Sequence, residues 1–252
     1  MRAEELPFVS VIVPVLNGER SLPGLLAALL GDDYPPARRE ILVVDNASTD
    51  ATPDILRGAP VTYLHEGWRG AARARNRGIA ASQGEIVAFT DVDCLPATGW
   101  LRAVVAGFRD EGVGGVAGEI LPFPPKTAAE RYAARIRHLS PQRYLRRPIF
   151  PFAVTANLAF RREVFDTVGL FDPESPRGGE STDFCTRFLR ETGLRLALAR
   201  EAVVLHRHRT TGATFLRQQW SYGRGHAYLY MKYREELPWG WAQTRQVYAD
   251  LA

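Results

Sequence analysis

The sequence contains only two cysteines, Cys94 and Cys185, and it has no long hydrophobic run. Two cysteines in 252 residues exclude a disulfide-rich secreted scaffold and favour a reducing compartment. No apolar stretch approaches the roughly 20 residues that cross a bilayer. The first residues, MRAEELPF, lack the apolar core of a signal peptide. We therefore expect a cytoplasmic chain, soluble or peripheral to a membrane; its last residues, YADLA, also fit a C-terminally truncated protein.

The chain also lacks internal repeats, low-complexity segments and a strong charge bias. It is 46% hydrophobic and 24% charged, with a formal net charge of +4. This is ordinary globular composition, and the length suffices for one large α/β domain. The small positive excess permits an anionic partner without selecting one. We expect no nucleic-acid partner, because the basic residues alternate with acidic motifs and form no recognition module.

In the first half, short apolar runs alternate with helical patterns. The alternation predicts a mostly parallel sheet that is covered by helices on both faces. The predicted strands are 8–15, 40–45, 61–64 and 85–93, and the predicted helices are 21–30, 48–57, 70–82 and 98–110.

After residue 111 the pattern changes. We predict a single domain over 1–252, with a nucleotide-binding half (1–111), an acceptor and catalytic half (112–210) and a C-terminal helical extension (211–252). The features of this second part are a glycine-rich strand (112–120), a basic segment (126–148), a strand that leads into a helix (151–165), two short extended pieces (195–209) and an aromatic, basic helix interrupted by Gly223 and Gly225 (214–237).

Polar residues follow the apolar strands at the points where those strands end. Pro14 and Asn17 end the first strand, Asp45 ends the second, and Asp91 and Asp93 end the fourth. Because ligands bind outside the carboxyl ends of parallel strands, these side chains predict a site at one edge of the sheet.

The motif TDVDC places Asp91 and Asp93 one residue apart. In an extended chain both carboxylates point to one face, where Mg²⁺ or Mn²⁺ with substrate phosphates would offset their repulsion. The alternative is that the pair marks a strand end and caps the next turn. Its place after a buried strand favours the metal site.

Two basic motifs add candidates. GAARARNRGI offers Arg73, Arg75, Asn76 and Arg77, which either grip phosphate or form a solvated helix face. LHRHR offers His206 and His208 at alternate positions, of which one can be a metal ligand; the alternative is a basic surface loop.

The ordered motifs resemble the inverting family 2 glycosyltransferases of the GT-A fold, from about Val9 to about His206. They are VSVIVPVLNGE, ILVVDNASTDAT, GAARARNRGI, EIVAFTDVDC, TANLAFRREVFDTVGLFDP and GGESTDFCTRFLRETG. The resemblance implies a Rossmann-like, mostly parallel sheet with a smaller antiparallel portion on the acceptor side. It also implies a hexosyltransferase-type enzyme that moves a sugar from a nucleotide-sugar with inversion, using Mn²⁺ or Mg²⁺.

The resemblance also implies roles for individual residues. Pro14 and Asn17 would line the nucleotide pocket, Asp45 would bind the nucleobase, typically uracil, and Arg75 and Asn76 would lie beside the nucleotide. Asp91 would approach the ribose or the metal, Asp93 and His206 would bind the metal, and Ala156 and Asn157 would line the donor-sugar and acceptor region.

The chain departs from the family pattern in GGESTDFC, residues 178–185. The family has Glu-Asp here, with the Asp as general base, whereas this chain has Glu180 and Ser181. Serine is a poor base, so the role falls to Glu180 or, after a shift of register, to Asp183. Glu180 fits better if the glycines form an open turn and a helix begins near Ser181, with Asp183 in its first turn.

Two other functions stay open. One is a sugar-phosphate nucleotidyltransferase, although PVLNGERS is a poor match to a glycine-rich phosphate loop. The other is a non-catalytic nucleotide-sugar-binding protein, which the serine at position 181 would suit. The acceptor would be a saccharide or a lipid-linked molecule.

The basic segment 126–148 and the helix 214–237 suit contact with an anionic membrane. Arg143, Arg146 and Arg147 are the candidate residues. The alternative, which we favour, is an acceptor loop and an ordinary packed helix.

Overall fold

The computed structural model describes residues 6–236. One eight-stranded sheet runs through both halves of the chain. Its strands are β1 (Val9–Val15), β2 (Arg39–Asp45), β3 (Thr62–His65), β4 (Ile86–Thr90), β5 (Cys94–Pro96), β6 (Val113–Pro122), β7 (Asn157–Arg161) and β8 (Arg195–His206).

The sheet has the strand order β3-β2-β1-β4-β7-β6-β8-β5. The first four strands of this order are parallel neighbours, and β6 is also parallel to β8. β7 is antiparallel to β4 and β6, and β5 is antiparallel to β8. The predicted fold class is therefore confirmed: a mostly parallel sheet with an antiparallel portion in the second half.

Nine α-helices are described in residues 6–236. They are α1 (Leu22–Leu30), α2 (Thr52–Arg57), α3 (Ala71–Ala81), α4 (Trp100–Ala106), α5 (Ala128–Arg135), α6 (Pro141–Leu145), α7 (Arg162–Val168), α8 (Glu180–Glu191) and α9 (Gly212–Lys232). A short 3₁₀ turn, Pro36–Arg38, precedes β2. Within the described part of the chain, no helix is both long and apolar enough to cross a membrane.

The helices cover both faces of the sheet. Val11 and Val13 of β1 belong to a buried cluster that includes residues of α1 and α4. Ile12, on the other face of the same strand, belongs to a second cluster with residues of α3, α7 and α8. Because successive strand residues point to opposite faces, a strand buried on both sides has to be apolar throughout. This explains the run in β1, whose one polar side chain, the buried Ser10, donates a hydrogen bond to Glu40 at 2.6 Å.

Three elements of the second half differ from the prediction: the strand β7, the strand β8 and the last helix, α9. The strand predicted to begin at 151 begins only at Asn157. The two extended pieces predicted in 195–209 are one strand, β8, which pairs with β6 on both sides of a register shift between Gly118 and Glu119. Residues 200–202 have no register partner in β6 and form a bulge at that shift. The bulge interrupts the alternation of apolar residues, which is why the sequence predicts two pieces.

The predicted interruption of the last helix is wrong, because α9 is continuous through Gly223 and Gly225. The lack of a side chain at Gly225 allows α9 to pack closely against the turn that precedes α8. A Cβ at this position would lie 2.6 Å from the nitrogen of Gly179, which directly precedes α8. Residues 237–252, including the last residue of the predicted helix 214–237, lie outside the described residues.

Candidate active site

The loops after β1 and β2 lie together at the carboxyl edge of the sheet. Asn17 has a left-handed backbone, with φ of 54°. Its side-chain oxygen accepts a hydrogen bond from the Thr49 amide at 2.8 Å, and its own amide donates to Ser48 Oγ at 2.9 Å. Pro14 is half-buried one residue before β1 ends. The predicted convergence of the first two strand ends is therefore present.

Asp45 ends β2 with its carboxylate buried. Its Oδ1 accepts a hydrogen bond from the Ser48 amide at 3.0 Å, and its Oδ2 lies 3.2 Å from Nδ1 of His65. The two residues are register partners at the ends of β2 and β3. More than half of the His65 side chain is exposed, so it forms the outer wall beside the carboxylate. No motif pointed to His65, because its pairing with Asp45 depends on strand register.

Asn46 fixes the loop between β3 and α3, and it too was missed by sequence reasoning. Its side-chain nitrogen donates to the Trp68 carbonyl at 2.8 Å, and its side-chain oxygen accepts from the Gly70 amide at 2.7 Å. Trp68 is 77% exposed. An anchored backbone thus presents an open aromatic ring close to Asp45.

The predicted extended geometry of the motif TDVDC is wrong. β4 ends at Thr90, and the Cys94 amide donates to the Asp91 carbonyl at 3.0 Å, so the chain turns before β5 begins. The two carboxylates consequently have different partners. Asp91 pairs with Arg75, and Asp93 lies against the end of β8.

The antiparallel pairing of β5 with β8 brings Asp93 to His206. Cys94 and His206 are register partners, and Asp93 Oδ1 lies 3.5 Å from His206 Nε2. Arg209 lies 3.9 Å from the other carboxylate oxygen. Of the three residues predicted to bind the metal, Asp93 and His206 are thus adjacent, whereas Asp91 pairs with Arg75.

The donor set around Asp93 fits a divalent cation. One atom each of Asp93, Cys94 and His206 lies within 4.8 Å of the others, and Nδ1 of the buried His206 has no hydrogen-bond partner among the described residues. Burial raises the pKa of the Cys94 thiol well above its usual value, which leaves a neutral, weak ligand. The carboxylate and the imidazole are therefore the donors suited to Mn²⁺ or Mg²⁺.

His208 connects His206 to an aromatic cluster, with its ring centre 5.1 Å from that of His206. Its ring centre is 5.9 Å from that of His138, which stacks on Tyr222. Burial, followed by the nearby His206, lowers the pKa of His208 to about 4, so this imidazole is neutral at pH 7. His206 and His208 are thus neighbours, but only His206 lies beside Asp93, whereas His208 faces His138.

Arg75 of α3 connects two carboxylates across the site. Its Nη2 donates to Asp91 Oδ1 at 2.8 Å, and its Nη1 lies 3.5 Å from Glu180 Oε1. The guanidinium is almost fully buried. A planar, permanently charged group can hold two acids at once, and this one fixes the end of β4 relative to the start of α8.

Removing Arg75 leaves two carboxylates close together without their shared cation. We expect Arg75→Ala to lower the free energy of unfolding by about 3 kcal/mol, as for other buried pairs that lose one partner. Arg73→Ala is the matched control on the same helix, since Arg73 forms an exposed pair with Glu174 and should cost less than about 1 kcal/mol. Denaturant unfolding without ligands measures both variants. Equal losses of unfolding free energy in the two variants would show that the buried ion pairs of Arg75 stabilise the fold no more than the exposed pair of Arg73.

α8 begins at Glu180, one residue earlier than predicted, after an open turn in which Gly178 has φ of 90°. Glu180 Oε2 accepts a hydrogen bond from the Gly178 amide at 2.6 Å. The carboxylate is therefore held on one side by backbone and on the other by Arg75.

Asp183 lies in the first turn of α8, as predicted, but it is fully buried. Its Oδ1 lies 2.7 Å from Lys232 Nζ and accepts a hydrogen bond from the Tyr233 hydroxyl at 2.8 Å. Its Oδ2 accepts from Arg187 Nε at 3.1 Å. Burial alone would lower the pKa of Lys232, but its hydrogen bonds with Asp172 and Asp183 raise it. The carboxylate is thus saturated by its partners.

Of the three remaining predicted residues, Ala156 and Asn157 are buried and Asn76 is half-buried. The Asn76 amide group exchanges hydrogen bonds with the backbone of Phe171. Asn157 accepts from Trp100 Nε1 at 2.9 Å and donates to the carbonyl of Ala202 at 2.7 Å. Ala156 is buried. Both amides bind protein groups, so in this structure they position backbone rather than face an open pocket.

A family model, "Glycosyl transferase family 2", matches residues 10–169, more than half of the chain. Glycosyltransferase AglE of Haloferax volcanii is 34% identical over 240 residues, which are 92% of this chain and 77% of that protein. The chain spans about half, 48%, of a longer curated relative from Mycobacterium tuberculosis.

Solved structures share the fold. One is the mannosyltransferase PcManGT from Pyrobaculum calidifontis, in complex with GDP-Man and Mn²⁺, which has a TM-score of 0.65 at 22% identity. The matched region covers 98% of this chain and 80% of the mannosyltransferase chain. Glucosyl-3-phosphoglycerate synthase from Mycobacterium tuberculosis, with Mn²⁺, UDP and phosphoglyceric acid, also has a TM-score of 0.65 at 22% identity and covers 91% and 79%.

Proposed function

Because the chain belongs to glycosyl transferase family 2, we propose that this glycosyltransferase moves a sugar from a UDP-sugar to an acceptor hydroxyl, with inversion at the anomeric carbon. The observation that carries the proposal is the Arg75 bridge between Asp91 and Glu180. It places a restrained carboxylate next to the acidic turn that ends at Asp93. A donor held at the turn and an acceptor activated by Glu180 can therefore meet.

The donor binds at the ends of β1, β2 and β4 in this proposal. Asp45, between the Ser48 amide and His65, would accept the N–H of the nucleobase. Pro14 and Asn17 would line the same pocket. Uridine is favoured by the family resemblance and by the UDP in the mycobacterial neighbour, whereas the GDP-Man in the Pyrobaculum neighbour makes guanosine the alternative.

Asp93 and His206 would hold the divalent cation. Asp91, which Arg75 already neutralises, is left to approach the ribose. When bound, the cation stabilises the negative charge that grows on the departing diphosphate. Asp93 would supply a hard oxygen donor and His206 a borderline nitrogen donor, and Arg209 adds a positive charge near the same carboxylate.

Glu180 is the general base in this proposal. The acceptor oxygen attacks the anomeric carbon, the sugar–phosphate bond breaks, and the acceptor proton passes to the Glu180 carboxylate as nucleoside diphosphate departs. Asp183 is unsuited to this role because its two oxygens are occupied by Lys232, Tyr233 and Arg187. Asp183 instead anchors α9 to α8.

The identity of the released product tests the proposal. With a nucleotide-sugar, a divalent cation and a panel of saccharide and lipid-linked acceptors, we expect nucleoside diphosphate to be released in step with a glycosylated acceptor. Pyrophosphate release from a nucleoside triphosphate and a sugar phosphate would identify a nucleotidyltransferase instead. Donor binding without turnover on any acceptor would identify a non-catalytic binding protein.

A further inference from the structure

One face of α9 is apolar and open to solvent. Leu216, Trp220 and Met231 are 68%, 75% and 71% exposed, and Ala227 is also exposed. Their spacings of four, seven and four residues place them along one side of the helix. We call these four residues the outer face of α9. An apolar stripe of this length, with an exposed tryptophan near its N-terminal end, is unusual on a free helix surface.

The opposite side of α9 packs against the protein. Phe215 and Tyr222 contact the ring of His138, and Leu229 is buried beside Phe150. These contacts bury the inner side of α9 against the rest of the protein. The outer face is therefore additional apolar surface.

The charges on α9 are of one sign. Its 21 residues include Arg217, Arg224 and Lys232 but no aspartate or glutamate. Lys232 turns inward to Asp183. Arg217 and Arg224 are exposed beside the outer face and make no ion pair with a carboxylate in residues 6–236. Such a combination of tryptophan, aliphatic residues and flanking arginines matches the boundary between anionic headgroups and acyl chains.

We propose that the outer face of α9 docks on an anionic phospholipid bilayer and that the acceptor is lipid-linked. The choice of occupant follows from charge complementarity: a second copy of this positively charged helix would be repelled, whereas anionic headgroups would attract it. The acceptor part of the inference rests on the proposed transferase function.

The position of α9 links the bilayer to the reaction. Gly225 lies against Gly179, and the neighbouring Gly178 donates the hydrogen bond that holds Glu180. Only one helix, with a diameter of about 10 Å, therefore separates the outer face from the start of α8. An acceptor hydroxyl in the headgroup layer would be close to the proposed base.

The arginines that the sequence suggested for membrane contact are arranged differently. Arg147 stacks over the rings of Tyr144 and Phe152 and lies 3.4 Å from the His226 ring nitrogen, on the inner side of α9. Its guanidinium supports the packing of α6 on α9. Arg143 and Arg146 remain exposed, so the structure removes only Arg147 from the proposed contact and adds Arg217 and Arg224 to it.

Vesicle co-sedimentation of the full chain tests the docking surface. We expect wild-type protein to bind vesicles of equal parts phosphatidylglycerol and phosphatidylcholine, to bind pure phosphatidylcholine weakly, and to lose affinity as salt is raised. The double change Leu216→Ser and Trp220→Ser should weaken binding more than about tenfold, since two large apolar side chains no longer enter the bilayer. Trp68→Ser is the control, because that tryptophan is equally exposed but lies near the donor site.

Failure of the docking surface and failure of the proposed function give different results. Nucleotide-induced thermal stabilisation should be the same in wild type and in the double variant, which also shows that the variant is folded. Absence of wild-type binding, or equal binding by the double variant, overturns the docking proposal. So does a dimer that the double change dissociates, or vesicle binding that occurs only after residues 237–252 are removed, because another copy or the terminal segment would then cover the face.

Discussion

Glu180→Gln is expected to reduce the rate of sugar transfer by about 10²–10⁴-fold, the usual contribution of a general base. Glutamine keeps the length of the side chain and an oxygen that can accept the Gly178 hydrogen bond, but it cannot take up the acceptor proton. Donor affinity should be unchanged, since no donor contact is assigned to this group. Single-turnover transfer and nucleotide binding, measured on the same preparation, separate the two effects.

Ser181 and Asp183 are the controls for this assignment. Ser181→Ala changes the neighbouring residue in the same helical turn and should leave the rate within about threefold, because no step is assigned to the hydroxyl. Asp183→Asn should instead lower stability by about 3 kcal/mol, as Lys232 and Arg187 lose the buried carboxylate that they share. If folded Asp183→Asn protein binds donor but fails to transfer while Glu180→Gln protein transfers normally, Asp183 is the base.

Asp93→Ala is expected to weaken nucleotide binding in the presence of Mn²⁺ by at least about 100-fold, since even outer-shell partners of metal ligands contribute 10–100-fold. The change removes the only carboxylate that lies beside His206 in the described metal-binding cluster. Binding in the presence of a chelator should be weak and nearly equal in wild type and variant. Calorimetric titration with UDP, with and without Mn²⁺, measures both.

A carboxylate elsewhere provides the comparison. Asp33 forms an exposed ion pair with Arg102, and Asp33→Ala should leave Mn²⁺-dependent binding unchanged. His206→Ala should follow Asp93→Ala in direction, because the two residues share the proposed ion. Wild-type affinity for UDP with Mn²⁺ in the Asp93→Ala protein would remove the metal assignment.

The sheet and the approximate place of the site were predictable from the sequence because they depend on local patterns. β1, β2 and β4 are buried on both faces, so each is a short apolar run, and the polar residues that follow have to emerge at one edge. The motifs and their order along the chain indicated the family. The apolar runs and the motifs are both formed by residues that are close together in the sequence.

The parts that could not be predicted depend on contacts between distant segments. The turn after Asp91 is set by the pairing of β5 with β8, and the wall beside Asp45 is set by the register of β3. The saturation of Asp183 depends on Lys232 and Tyr233 at the end of α9. Each of these contacts joins residues that no short motif relates.

Proton and phosphorus NMR spectra of the transfer reaction, with an α-linked UDP-sugar, Mn²⁺ and a lipid-linked acceptor, together report the chemistry. The anomeric coupling of the first product formed gives the configuration of the new bond, and the phosphorus signals identify the released nucleotide. We expect a β-linked product and UDP in equal amounts. An α-linked product, or loss of the UDP-sugar without a glycosylated acceptor, would contradict inverting transfer by a Glu180 base.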